Sequence, residues 1–126
     1  MSDHERIAAI DVGSNTVLLT VAEYDPEVGL VVIDEGEDQP RLGAGLSATG
    51  RLSEDAMQRA IVSLTRMRDT CRRHGVRRVA AVATAAVREA ANGAEFVTRV
   101  RGRDIPLRVI SPEIEAALSY RSAAHH

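Results

Sequence analysis

Tryptophan is absent from this chain, and aromatics of any kind are scarce: one Phe and two Tyr in 126 residues. That scarcity weakens any function built on stacking bases or sugars against aromatic rings. A single cysteine, Cys71, excludes an internal disulfide and fits a reducing compartment. There is no excess of positive charge either. Sixteen basic residues stand against 18 acidic ones, a formal net charge of −2, which argues against a nucleic-acid footprint. No apolar run approaches the roughly 20 residues of a membrane span. The N-terminal Met1-Ser2-Asp3-His4-Glu5 lacks the basic and apolar regions of a signal peptide. The expectation is a cytoplasmic protein that neither enters a membrane nor binds nucleic acid.

What remains is ordinary in amount and informative in order. Hydrophobic content of 44% and charged content of 27% are those of a globular chain. Its length fits one domain able to bury a core. Abundant Ala and Val point to an α/β core of small, branched side chains. Arg6–Val12 is apolar on both faces, as expected for a central strand covered by helices. Thr16–Tyr24 and Leu30–Glu35 follow as strands across the turn Asp25-Pro26-Glu27-Val28-Gly29, so the three should form an antiparallel meander. Glu37–Gly50, rich in Gly and polar residues, reads as a loop.

Ser53 is a suitable N-cap, with Glu54 and Asp55 complementing the helix dipole. Ala56, Met57, Ala60, Ile61, Leu64, Met67 and Cys71 recur at helical spacing, and His74-Gly75 closes that helix. Val76–Ala83 predicts a fourth strand, Thr84–Ala91 a helix broken at Asn92-Gly93, and Ala94–Arg101 another helix. Pro106–Ile110 predicts a fifth strand. Ser111-Pro112-Glu113 starts a last helix running to about Ala123. The order βββαβα(α)βα suggests a ribonuclease-H-like core, a mixed five-stranded sheet extended through right-handed crossovers. Ligands of such sheets gather beyond the carboxyl ends of the parallel strands. Asp11, Thr84 and Ser111 should all lie on that edge.

The stretch Asp11-Val12-Gly13-Ser14-Asn15-Thr16 carries the most chemistry. It could be only a tight hairpin. However, a carboxylate at the end of a buried strand is costly unless a cation or donors satisfy it, and the turn offers backbone N–H groups and short polar side chains to an anion. Arg88, one turn after the end of a strand, reads equally as a solvated surface charge or as a fork of donors for phosphate. Glu113 and Glu115 favour a helix N-terminus for dipole reasons. Alternatively, one of them orients a water as general base, and their i, i+2 spacing puts only one in the cleft. Cys71 reads as core. His4, His74, His125 and His126 are too scattered for a metal cluster, and the last two, with Ala124, read as a tail or tag remnant. Arg66, Arg68, Arg72, Arg73, Arg77 and Arg78 read as a solvated helix face and strand edge.

Together these residues resemble the exopolyphosphatase/guanosine pentaphosphate phosphatase (Ppx/GppA) family. Ala9-Ile10-Asp11-Val12-Gly13-Ser14-Asn15-Thr16 matches its Asp-x-Gly-Ser-Asn phosphate turn. Arg41-Leu42-Gly43 with Thr49-Gly50-Arg51-Leu52-Ser53 resembles the stretch before its first long helix. Ala81–Arg88 is similar to its Ala-Thr-x-x-x-Arg element, and Val109–Ala116 to the segment bearing its catalytic Glu. The resemblance implies one lobe of the actin/hexokinase/Hsp70-like fold, residues 1–126 forming the N-terminal lobe and lacking a second. It implies that Gly13, Ser14, Asn15 and Arg88 bind phosphate, that Asp11 lies near Mg²⁺, and that Glu115 is the catalytic base. The reaction implied is removal of terminal phosphate from polyphosphate or guanosine pentaphosphate by activated water, the isolated lobe being inactive. Ile114 departs from members with a second acid directly before the matched Glu115. Competing readings are a non-catalytic phosphate-binding or dimerisation module, forming a homodimer through the exposed inter-lobe face, and the lobe of a sugar kinase or actin-like ATPase.

Overall fold

Alternation along the first strand decides how the sheet lies. In β1 (Arg6–Val12) Ala8, Ile10 and Val12 are buried, while Ala9 and Asp11 between them are exposed. The computed structural model describes residues 3–124, with side chains through Leu118. β2 (Val17–Asp25) repeats the pattern with Val17, Leu19 and Val21 inward and Leu18 outward. The expectation that β1 is covered on both faces is therefore corrected. Ala8, Ile10 and Val12 fill one face, and on the other half-buried Ile7 and small, exposed Ala9 precede the Asp11 carboxylate.

β3 (Gly29–Asp38), β4 (Arg78–Ala83) and β5 (Leu107–Val109) complete a five-stranded sheet of order β3-β2-β1-β4-β5. β1–β2 and β2–β3 are antiparallel, while β1–β4 and β4–β5 are parallel. This is the ribonuclease-H-like arrangement expected from the order of elements. β3 is longer than Leu30–Glu35, because Glu35 to Asp38 pair with Thr20 to Val17 despite their polar character. At the other end β4 starts at Arg78 rather than Val76, and β5 is shorter than Pro106–Ile110.

One long helix closes the buried face. α2 (Glu54–Arg73) starts at Ser53, whose Oγ accepts from Ala56 N at 3.1 Å, and buries all seven periodic positions from Ala56 to Cys71. A short helix α1 (Leu46–Thr49) precedes it inside the predicted loop, between Gly45 and Gly50, both left-handed. After β4, α3 is shorter than predicted (Ala85–Glu89), and α4 (Gly93–Arg101) adds Phe96 and Val100 to the core, each 0% exposed. Cys71 is buried as expected. Arg68, Arg72 and Arg78 pair with Asp69, Asp104 and Glu5 at the surface. α5 (Pro112–Ala124) leads away from β5, with Ile114 and Leu118 exposed. His125 and His126 lie outside the described residues.

Candidate functional site

The reversal from β1 to β2 is tight. Gly13 N donates to Thr16 O at 2.9 Å, and a β-carbon on Gly13 would lie 3.1 Å from that same oxygen. Space, rather than left-handed backbone, is what requires glycine there. The carbonyls of the turn are used: Ser14 O accepts from Gly43 N at 2.8 Å and Asn15 O from Arg41 N at 3.0 Å. The N–H groups of Ser14, Asn15 and Thr16 have no hydrogen bond to a described residue. Three consecutive amides, two of them on exposed residues, are thereby left free to donate to an anion.

Asp11, one residue before the end of β1, is opposite Leu18 on one side and Val82 on the other. Its side chain is on the uncovered face. The surrounding protein desolvates its carboxyl and pushes its pKa up, and the negative charge of Glu115 pushes the same way. The end of β1 and the start of α5 thus place two like charges within reach of each other.

Glu115 is positioned by the helix start that the sequence announces. Ser111 Oγ accepts from Ile114 N at 3.2 Å and Ser111 O from Glu115 N at 3.0 Å. Glu113, two positions earlier, is exposed while Glu115 is half-buried, so one of the two acids lies at the site, as their spacing requires. Glu115 Oε1 is buried without a hydrogen-bond partner, and Arg88 Nη1 stands 3.6 Å from it. Arg88 also donates from Nη1 to Ile110 O at 2.8 Å, and its side chain is only 24% exposed. Arg88 is thus not a solvated surface charge; its guanidinium is held at the junction of Ile110 and Glu115.

Thr84 joins β4 to α3 with φ −114° and ψ −136°, and its N–H donates to Val12 O at 3.2 Å. It therefore stands beside the end of β1, on the expected edge. Sequence reasoning missed two supports. The first is the strap Arg41-Leu42-Gly43: a β-carbon on Gly43 would lie 3.3 Å from Ser14 Cβ and 3.6 Å from Ala86 Cβ, so the strap runs between the turn and α3. The second is Asn92, whose side chain accepts from Leu52 N at 2.8 Å and donates to Leu52 O at 2.9 Å. No signal for it exists in the sequence, since an Asn before Gly reads as a helix break.

A surface depression away from this edge lies between Asp38, Pro40 and the α2 residues Arg59 and Arg66. Among the described residues no cluster of three or more His, Cys, Asp or Glu could hold a metal by itself. Two carboxylates, Asp11 and Glu115, nevertheless act on each other here, and Glu115 Oε1 has the Arg88 guanidinium beside it but accepts no hydrogen bond. A hard cation that completes its shell with water and phosphate oxygens suits such a donor set.

A family description, the Ppx/GppA phosphatase family, matches residues 20–126. The chain is 33% identical over 127 residues to "Exopolyphosphatase 2" of Mycobacterium tuberculosis, covering 94% of this chain and 40% of that protein. It is 36% identical over 122 residues to "Guanosine-5'-triphosphate,3'-diphosphate pyrophosphatase" of Vibrio cholerae, covering 94% of this chain and 24% of that one. The crystal structure of the Aquifex aeolicus family member is similar at 39% identity with a TM-score of 0.84, over 88% of this chain and 36% of the other. An exopolyphosphatase structure from Cytophaga hutchinsonii is similar at 30% identity with a TM-score of 0.86, over 90% and 36%. The chain thus spans 40% or less of each of these relatives. Its sheet is one lobe of the actin/hexokinase-like fold those structures share. With the turn, Arg88 and Glu115 gathered at the edge of that lobe and the match covering residues 20–126, the chain belongs to the Ppx/GppA phosphatase family.

Proposed function

We propose that this chain is the N-terminal lobe of a phosphohydrolase that removes the terminal phosphate of inorganic polyphosphate or of guanosine pentaphosphate. The observation that carries the reading is the row of unpaired N–H groups at Ser14, Asn15 and Thr16, placed at the same sheet edge as Arg88 and Glu115. The names of the Mycobacterium and Vibrio relatives supply the two substrate classes.

The chemistry follows from the residue types. A phosphoanhydride needs its charge neutralised and a water held in line far more than it needs a covalent nucleophile. In this reading the amides of Ser14 and Asn15, with the close approach that Gly13 permits, cradle the phosphoryl oxygens. Arg88 adds a planar fork of donors. Glu115 accepts a proton from the attacking water, while Arg88 lies 3.6 Å from its buried Oε1. Mg²⁺, when bound by Asp11 and phosphate oxygens, supplies further neutralisation of developing charge. The activity of the whole protein requires a second wall facing this edge, because the chain spans 40% or less of its curated relatives.

The test is a titration of the 126-residue chain with inorganic tripolyphosphate, followed by amide chemical shifts and by phosphate release. The expected result is saturable shifts at residues 13–16 and at Arg88, without turnover. Steady phosphate release that survives Glu115→Gln would overturn the assignment of Glu115, and shifts confined to other regions would overturn the turn as the phosphate cradle.

A second reading, a non-catalytic phosphate-binding or dimerisation module, is favoured by one observation. Leu18, Leu30 and Val32, together with Ile114 and Leu118, are exposed large apolar side chains, the kind of surface a contact with a second copy would cover. Light scattering decides it: a concentration-independent monomer removes the dimer.

A further inference from the structure

We infer that Arg41 is a second anion-binding arginine of this edge, holding phosphate beyond the group that Arg88 reaches in a chain of linked phosphates. The inference rests on the phosphate reading above and extends it to a residue that the reading leaves without a role.

Arg41 sits in left-handed backbone, at φ 52°. Glycine adopts that conformation freely, whereas a side chain resists it, and such residues persist where their surroundings over-determine them. The surroundings do so here. Pro40 and Leu42 on either side are buried, Arg59 Nε donates to Pro40 O at 2.8 Å, and Ala44 N donates to Arg41 O at 3.0 Å. The backbone of Arg41 is fixed directly to the phosphate turn through its N–H on Asn15 O.

The guanidinium, by contrast, has nothing to do within the described residues. Arg41 is exposed and makes no side-chain hydrogen bond or ion pair there; Asp38, three positions earlier, does not pair with it. Arg88, on the other flank, is ordered by Ile110 and Glu115. The strap carrying Arg41 reaches α3 through Gly43 against Ala86, two residues before Arg88. Two arginines therefore flank one turn of unpaired amides, one ordered and half-buried, the other strained and unpaired. A single phosphate fills the first position, and a linked chain of phosphates brings further charge toward the second.

The test uses the 126-residue chain with orthophosphate and with inorganic tripolyphosphate as probes, by calorimetric titration at low salt. Variants are Arg41→Gly, which relieves the left-handed strain and so protects folding, Arg41→Gln, Arg88→Gln, and Arg103→Gln as a control for loss of one exposed charge elsewhere. Losing a charge-assisted contact is expected to weaken tripolyphosphate about tenfold in both Arg41 variants while leaving orthophosphate unchanged. Arg88→Gln should weaken both probes, and Arg103→Gln neither. The inference is overturned if Arg41→Gly binds tripolyphosphate as tightly as the parent chain, or if Arg103→Gln weakens it equally. Tripolyphosphate failing to bind the parent chain at all overturns this inference together with the reading it extends, whereas binding by the parent that Arg41 does not affect overturns this inference alone.

Discussion

Arg88 Nη1 lies 3.6 Å from Glu115 Oε1 while donating to Ile110 O at 2.8 Å, so one guanidinium ties α3 to the junction of β5 and α5. Arg88→Ala leaves the Ile110 carbonyl without that donor and the Glu115 carboxylate without its cation. The expected cost is about 1–2 kcal/mol, read from urea denaturation. Glu115→Gln should cost less, because it also removes repulsion with Asp11. In the double variant the two costs should fall short of additive by about 0.5 kcal/mol or more. Full additivity would mean that the pair is too far apart to couple.

Asp11 titrates above the ordinary aspartate range, first through desolvation and then through the charge of Glu115. The sign of the linkage follows. A carboxyl with a raised folded pKa binds its proton more readily in the folded state, so ionising it opposes folding as pH rises through that pKa. In metal-free buffer the Asp11 midpoint, followed by carbon-detected NMR, should lie above that of an unfolded peptide. Glu115→Gln should lower it part of the way, because desolvation remains. A midpoint that does not move in Glu115→Gln would separate the two carboxylates in space.

Much of this was legible in residue order, and the exceptions have physical causes. Strand positions such as Ile10, Val17 and Leu19 announce themselves because they lie in short apolar runs bounded by turn residues. The Ser53 and Ser111 caps are legible because a hydroxyl followed by acidic residues satisfies orphan amides. By contrast, Glu37 and Asp38 read as loop since their polar side chains conceal a backbone that pairs with Leu18 and Val17 of β2. The uncovered face of β1 was missed because Ile7 and Ala9 on it are apolar, although Ala9 is small enough to sit exposed. At the site, Asp11, the turn and Glu115 were legible from short motifs on strand and helix ends. The inward position of Arg88 and the clamp from Asn92 depend on partners 22 and 40 residues away, and no local pattern encodes them.

The clamp makes a prediction about stability. Asn92 is 8% exposed and satisfies both the N–H and the carbonyl of Leu52, itself 3% exposed. Asn92→Ala strands those two groups, at an expected cost of about 2–4 kcal/mol. Next to it, a β-carbon on Gly93 would collide with Val87 O. Gly93→Ala must therefore displace α3 or α4, costing about 1–3 kcal/mol. Both variants should lower the midpoint of thermal unfolding by several degrees. Because α3 carries Arg88, both should also weaken phosphate binding. Unchanged midpoints would show that the α3–α4 junction yields without cost.

The edge of the sheet far from the site makes the last prediction. His74, which caps α2, has Nε2 2.8 Å from Asp34 Oδ2 on β3, so the outermost strand is fastened to the end of the long helix. The hydrogen bond to His74 and one from the Glu35 N–H hold the Asp34 carboxyl below its ordinary pKa. A depressed folded pKa contributes stability that is present above the unfolded value and lost as pH falls through the folded one. Asp34→Asn should therefore lower thermal stability at neutral pH. The difference from the parent chain should close in the acid range, below the pH at which an unfolded aspartate titrates. Because the pair is partly exposed, added salt should narrow the neutral-pH difference. Equal melting curves for Asp34→Asn and the parent chain at neutral pH and low salt would mean that β3 is held by its ladder with β2 alone.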